Sequence, residues 1–221
     1  MKTVNLIWSA LRAVTGAHHA GLGDADQERA RFDRWAPRYD RSIGQSLLFS
    51  PTHAAVLCAA AEAGSLPRSV VDVGCGTGRL LERAAKQWPD ARLTGIDASP
   101  KMIAEARAKL SGDARFRFEV ADAAALPLEP ASVDLAFSTV SFHHWADQAG
   151  GVREVARVLG AGGLFVLADL APPLLRGSLA NRVHGVRSRR KLFEQAGLSV
   201  VRQWRPTRLA GHVLITVGRK G

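Results

Sequence analysis

The chain is poor in cysteine: Cys58 and Cys75 are the only two in 221 residues. With no CxxC spacing and no partner cluster, they argue against a disulfide framework, a thiol redox site and a cysteine zinc site, and they suit a reducing compartment. Long apolar runs are missing as well. The opening stretch MKTVNLIWSALRAVTGAHHA starts basic and partly apolar, but Arg12 interrupts it far short of the ~20 residues of a membrane span. No small-residue cleavage site follows, so a signal peptide is not expected. Leu6, Ile7, Ala10, Leu11 and Val14 instead fall on one helical face. An amphipathic helix follows, one that packs on the domain as a lid or lies on a membrane surface.

Acid is scarce at the other end. From 171 to 221 Glu194 stands alone against eleven Lys and Arg, which accounts for the whole net charge of +10. Such a face attracts nucleic acid, an anionic membrane or an acidic substrate, unless it is simply a solvated arginine-rich surface.

What is present is alternation. Short β-branched apolar runs at 69–74, 91–97, 116–122, 133–140 and 163–170 are interleaved with helical patterns at 79–88, 99–110 and 148–160. This is the pattern of βαβ units building a parallel sheet. Ser99 followed by Pro100 is an N-cap with proline at the first helical position. In the tail, a short helix at 188–198 precedes two strand-like runs, SVVRQWR and HVLITVGR, with no helix between them. So short a connection permits a hairpin and forbids a parallel crossover, so the sheet ends in an antiparallel strand. Residues 1–65 hold two or three helices and no strong strand, which makes them a cover over a core spanning 66–221.

The stretch VVDVGCGTGRL places Gly74, Gly76 and Gly78 where the first strand turns into its helix. There the backbone can approach a ligand with no side chain in the way. Arg79 stands where a dinucleotide fingerprint needs its third glycine, and Thr77-Gly78-Arg79 lacks the Gly-Lys-Ser/Thr ending of a phosphate loop. Asp97 closes the second strand, where an acid can accept from vicinal ribose hydroxyls. Asp122 closes the third, where an acid can accept from an exocyclic amine. With Asp72 in the first strand, these acids disfavour a diphosphate and favour a cationic nucleoside without phosphates. Either Asp97 or Asp122 could instead be an ordinary turn or cap residue.

The motifs VVDVGCGTG, GIDASPKMI, VADAAALPLEPASVDLAF and REVARVLGAGGLFVLAD, in this order, resemble the class I S-adenosylmethionine-dependent methyltransferases, type 11 small-molecule group. The resemblance covers Val70 to Leu170. It implies an α/β Rossmann-like fold with a seven-stranded, mostly parallel sheet, an antiparallel last strand and a helical N-terminal lid. It also implies S-adenosylmethionine as methyl donor, with S-adenosylhomocysteine as product. Asp72 and the turn Gly74, Cys75, Gly76 and Gly78 would then hold the methionine end, Asp97 the ribose, Met102 an adenine face, and Asp122 with Ala123 the adenine edge. Ala98 and Ser138 complete the cofactor set.

For the acceptor, STVSFHHWAD after the fourth strand offers His143 and His144 as bases, since histidine titrates near neutral pH. The alternative is that one packs against cofactor and the other caps the loop. Their adjacency lacks metal-ligand spacing, and no metal is expected. RFDRWAPRYDRSI resembles the family's N-terminal cover, in which Tyr39 would close over the sulfonium. The segment 171–187 is a further pocket wall, in which His184 and Arg187 could face an acceptor carboxylate or phosphate. No Asn/Asp-Pro-Pro-aromatic loop follows the fourth strand, and no cysteine nucleophile stands there, against nucleic-acid base methylation. The expectation is a cytoplasmic small-molecule methyltransferase acting at oxygen, nitrogen or carbon. An RNA or ribosomal-protein methyltransferase using the basic tail, and a non-catalytic cofactor-binding domain, are the alternatives.

Overall fold

The computed structural model describes residues 25–41, 48–171, 185–206 and 213–221. The expected amphipathic helix in the first twenty residues, and His184, lie outside them. In chain order the elements are α1 (Ala25–Tyr39), α2 (Ser50–Glu62), β1 (Ser69–Val73), α3 (Arg79–Gln87), β2 (Arg92–Asp97), α4 (Pro100–Leu110), β3 (Phe116–Val120), β4 (Val133–Thr139), α5 (Gln148–Val158), β5 (Leu159–Leu170), α6 (Val186–Gln195), β6 (Leu198–Trp204) and β7 (Val213–Lys220).

The strands form one sheet in the order β3-β2-β1-β4-β5-β7-β6. All pairings from β3 to β5 are parallel, while β7 runs antiparallel to both β5 and β6. The last strand in sequence is therefore antiparallel, as its short connection to β6 requires, but it lies inside the sheet and leaves β6 at the edge. The order reverses direction at β1, with β2 on one side and β4 on the other, and the carboxyl ends of those strands form the crevice where such folds bind ligands.

Both faces of the sheet are covered, and the pleat decides which residue serves which face. Val70, Leu93, Leu135, Phe137 and Val166 pack with Val56 of α2, Leu80 and Leu81 of α3 and Ile103 of α4. Their neighbours Val71, Val73, Ile96, Ala136 and Phe165 pack on the other side with Val152 and Val155 of α5 and Phe193 of α6. One boundary differs from the sequence expectation. The helix read as reaching 160 stops at Val158, and β5 begins at Leu159 rather than 163. Leu159 pairs with Val133 across a register shift that absorbs the glycines of Gly160-Ala161-Gly162-Gly163, so these continue the strand instead of ending the helix. Among the described residues, no helix is long and apolar enough to cross a membrane.

Candidate functional site

At the carboxyl ends of β1, β2 and β4 a cleft of about 880 Å³, open mouth included, is roofed by α1. Its floor begins at the glycine turn. Past Val73 the chain stays anchored to β2, because the N–H groups of Gly74 and Cys75 both donate to the Ile96 carbonyl, at 2.7 and 3.0 Å. Gly74 has φ +80°, and a Cβ there would come within 2.2 Å of Ser141 Oγ. Backbone handedness and close approach thus require glycine at 74 together.

Three carboxylates surround this turn. Asp72 is buried in β1 and its Oδ1 has no hydrogen-bond partner. Burial, and then the nearby charge of Asp97, push its carboxyl up to about 8. Asp97 receives the Ser99 N–H on Oδ1 at 2.9 Å and the Gly76 N–H on Oδ2 at 2.8 Å. Burial raises its carboxyl, these two donors work against the rise, and Asp33 adds to it. Asp122 lies at the exposed rim, two residues beyond β3, and accepts the Ala124 N–H at 2.8 Å. It caps its own turn and lines the cleft, so the two readings of it are compatible. Two cations beside the turn, Lys109 and Arg79, are engaged by Asp40, while Arg29 of α1 lines the cleft. Lys109 donates to Asp40 Oδ2 at 2.6 Å and to the Thr77 carbonyl at 2.8 Å, and Arg79 donates to the Asp40 carbonyl at 3.3 Å.

α1 is latched across this floor by two acids. Asp33 accepts the Ser99 hydroxyl at 2.5 Å, while Ser99 Oγ itself accepts the Met102 N–H at 3.1 Å as the N-cap of α4. Asp40 accepts the Thr77 hydroxyl at 2.6 Å. One residue before each anchor, Phe32 and Tyr39 line the cleft. The Tyr39 ring approaches to 3.6 Å of where a Cβ on Gly76 would stand, and it is braced edge-on by Trp35 and Phe49.

A further wall of the cleft comes from the turn after β4. Val140 adopts φ 53°, a costly conformation for a β-branched residue, and its N–H is held by the Ala168 carbonyl at 2.8 Å. The reversal sends Ser141, His144 and Trp145 into the cleft. His144 meets Phe32 of the roof edge-on, with ring centroids 5.0 Å apart. His143 does not reach the cleft. It is buried, with its N–H and Nδ1 both bonded to Asp169 at 2.7 Å and its Nε2 without a partner. Burial alone would raise the Asp169 carboxyl, but His143, Arg189 and the Leu170 N–H outweigh it and hold it low.

Of the expected cofactor residues, Gly74, Gly76, Asp97, Ala98, Met102, Asp122 and Ala123 line the cleft, and Asp72 lies buried beneath it. Cys75 and Gly78 serve the turn from outside the wall, and Gly78 opens α3 in a left-handed conformation. Ser138 is fully buried and shares a 2.8 Å hydrogen bond with Ser141, whose side chain lines the wall. His143 likewise lies behind the wall in which His144 stands. Arg187 is exposed on α6, outside the cleft wall. Among the described residues no cluster suited to a metal occurs.

Several wall residues escaped the sequence reading. Arg29 and Phe32 share with the expected Tyr39 a helical face that the spacing of α1 could have revealed. Asp169 near the end of β5 is the same signal as Asp97, an acid closing an apolar strand. Val140 and Arg189 carry no local signal.

An S-adenosyl sulfonium fits these residues. The orphaned carboxylate oxygen of Asp72 wants a cation or donor, the glycine turn leaves room for backbone contact, and Asp97 and Asp122 retain acceptor capacity for ribose and adenine.

Residues 71–167 match the family described as Methyltransferase domain. The chain is 37% identical over 153 residues to a demethylmenaquinone methyltransferase of Deinococcus radiodurans, covering 68% of this chain and 62% of that protein. It is 38% identical over 120 residues to a malonyl-[acyl-carrier protein] O-methyltransferase of Hahella chejuensis, covering 54% and 42%. It thus spans less than two thirds of the length of these relatives. A SAM-dependent methyltransferase structure from Aquifex aeolicus superimposes with a TM-score of 0.70 at 19% identity, over 86% of this chain and 98% of the other.

Proposed function

We propose that this chain, whose residues 71–167 form a methyltransferase domain, transfers a methyl group from S-adenosylmethionine to a small-molecule acceptor at oxygen, nitrogen or carbon. The observation that carries this reading is the anionic floor. Asp72 lies beneath the turn with an unpartnered oxygen, Asp97 stands beside it, and the nearby Arg79 and Lys109 are engaged by Asp40 rather than left for a phosphate. Such a floor selects a cationic nucleoside over a diphosphate.

The sulfonium supplies an already activated methyl group, so the chain contributes alignment and dryness. Tyr39 and Phe32 close the roof, and Tyr39 offers a π face to positive charge beside the glycine turn. Val140 and Trp145 give the acceptor an apolar wall. Among the described residues His144 is the one histidine in that wall, and it takes the acceptor proton where an O–H or N–H is methylated. His143 acts from behind, its ring centroid 3.9 Å from that of His144. Relatives named for demethylmenaquinone and for malonyl-[acyl-carrier protein] support the small-molecule class. The cytoplasm is the setting that two cysteines outside any disulfide suit.

Calorimetry with S-adenosylmethionine tests the first step, and transfer of isotopically labelled methyl to a panel of carboxylic acids, alcohols and quinols tests the second. Failure of the wild-type chain to bind the donor would overturn the reading.

A further inference from the structure

Behind the acceptor wall lies a buried cation that the transfer does not use directly. Arg189 of α6 is completely buried. Its Nη1 donates to the Leu214 carbonyl of β7 at 2.6 Å, while Nε and Nη2 have no hydrogen-bond partner. Burying a guanidinium costs several kcal/mol, so a group that only filled this space would be served better by an apolar side chain.

Its surroundings suggest what offsets that cost. The guanidinium carbon is 6.0 Å from the centroid of the Phe142 ring, in the turn that carries both histidines. Its charge reaches Asp169, which is itself 1% exposed and bonded to the N–H and Nδ1 of His143. Leu214, whose carbonyl Arg189 holds, stands opposite Asp169 in the β5–β7 register, so the four residues form a series from α6 toward the cleft: Arg189, Asp169, His143 and His144. The charges that face it are Asp169 from β5, Arg189 from α6 and, within reach of Arg189, Arg205 beyond β6, whose guanidinium meets the Ala171 carbonyl. Arg29 of α1, Asp97 and Asp122 stand in the cleft wall with His144.

We propose that Arg189 is a positioning residue: its buried charge balances Asp169, so that His143 remains a neutral Nδ1–H donor and His144 remains open to the proton of the acceptor. This rests on the reading of His144 as the proton acceptor. With Asp169 unbalanced, the carboxylate would draw a proton onto His143 from below. Two imidazoles with centroids 3.9 Å apart do not readily carry two protons, so His144 would then be closed to a third party's proton. Burial depresses the Arg189 guanidinium to about 10, which still leaves it charged at neutral pH.

The test is the proton occupancy of the two rings, followed by nitrogen NMR of labelled histidine in the free protein and assigned with His143→Gln and His144→Gln. Arg189→Met should move the first proton uptake of the pair upward by roughly one to two pH units, the order expected on losing a buried charge at an intermediate dielectric. Arg189→Lys should restore the wild-type titration. Comparing Asp169→Asn with the double variant Asp169→Asn/Arg189→Met isolates the Arg189 charge in an acid-free background, should the single Met variant not fold, and the same upward shift is expected between them. Titrations that coincide in both comparisons would show Arg189 to be only a tie between α6 and β7 and would overturn the proposal. No donor or acceptor is present in the measurement. A shifted titration in a chain that transfers no methyl group would therefore sink the enzymatic reading while leaving the charge balance standing.

Discussion

Asp72 sets a pH dependence that can be worked from its surroundings. Burial, and then Asp97, raise its carboxyl to about 8, so the ligand-free protein at pH 7 holds mostly the acid form. A cation seated above it favours the carboxylate, and binding must then release a proton. Affinity should climb by up to tenfold per pH unit and level off near pH 8. Between pH 6 and 8 the ceiling is about a hundredfold, or ~2.7 kcal/mol at 1.36 kcal/mol per unit. The sign for stability is the reverse. The unfolded carboxyl ionises near the ordinary aspartate value of 3.8, so from there to about 8 the native state binds more protons than the unfolded one, and the free protein loses stability as pH rises through that window. Calorimetry of S-adenosylmethionine binding at pH 6.5, repeated in buffers of different ionisation enthalpy, should report close to ~1 proton released, and Asp72→Asn should abolish that release. Equal proton release from wild type and Asp72→Asn would refute the placement of the cation over Asp72, whatever the affinity.

Gly74→Ala sets a Cβ 2.2 Å from Ser141 Oγ at φ +80°, and the left-handed strain alone costs about 1 to 2 kcal/mol; denaturant melts should show at least that loss, with donor binding weakened by the displaced turn. Asp97→Ala should weaken donor binding by roughly 1.5 to 3 kcal/mol through a lost charge-assisted contact, read as Kd by calorimetry. His53 is held near 3 by burial and then by Arg83 and Arg79, below the ordinary histidine value of 6.5. The stability it lends is complete above pH 6.5 and drains away as pH falls toward 3, at up to about 1.4 kcal/mol per unit, so His53→Leu should flatten the acid slope of the melting temperature. RNA binding should be negligible at moderate salt, measured by fluorescence anisotropy; tight binding with a steep salt slope would instead favour the basic face as a nucleic-acid surface.

The sheet was legible because its signals are local. A β-branched run such as SVVDV buried on both faces, a glycine turn and a Ser-Pro cap each specify their own few residues, and the parallel order follows from the helices between strands. The start of β5 was misread for the opposite reason. Gly160, Gly162 and Gly163 look like a helix stop and a loop, yet pairing of Leu159 with Val133 across the sheet draws them into the strand. That is a tertiary override of a local pattern.

The donor and acceptor halves of the cleft differ in the same way. Asp72, Gly74 and Asp97 stand at or just past strand ends that the local sequence fixes, so their place at the crevice follows from backbone position alone. The adjacent histidines could not be told apart, because which of the two faces the cleft depends on a left-handed Val140 and on Asp169, 26 residues from His143. Asp169 in turn is offset by Arg189, a residue of α6 with nothing in its local sequence to mark it. The protonation chemistry of the acceptor wall is thus spread over β4, β5 and α6, and a change in any of the three can redirect it without touching the donor site.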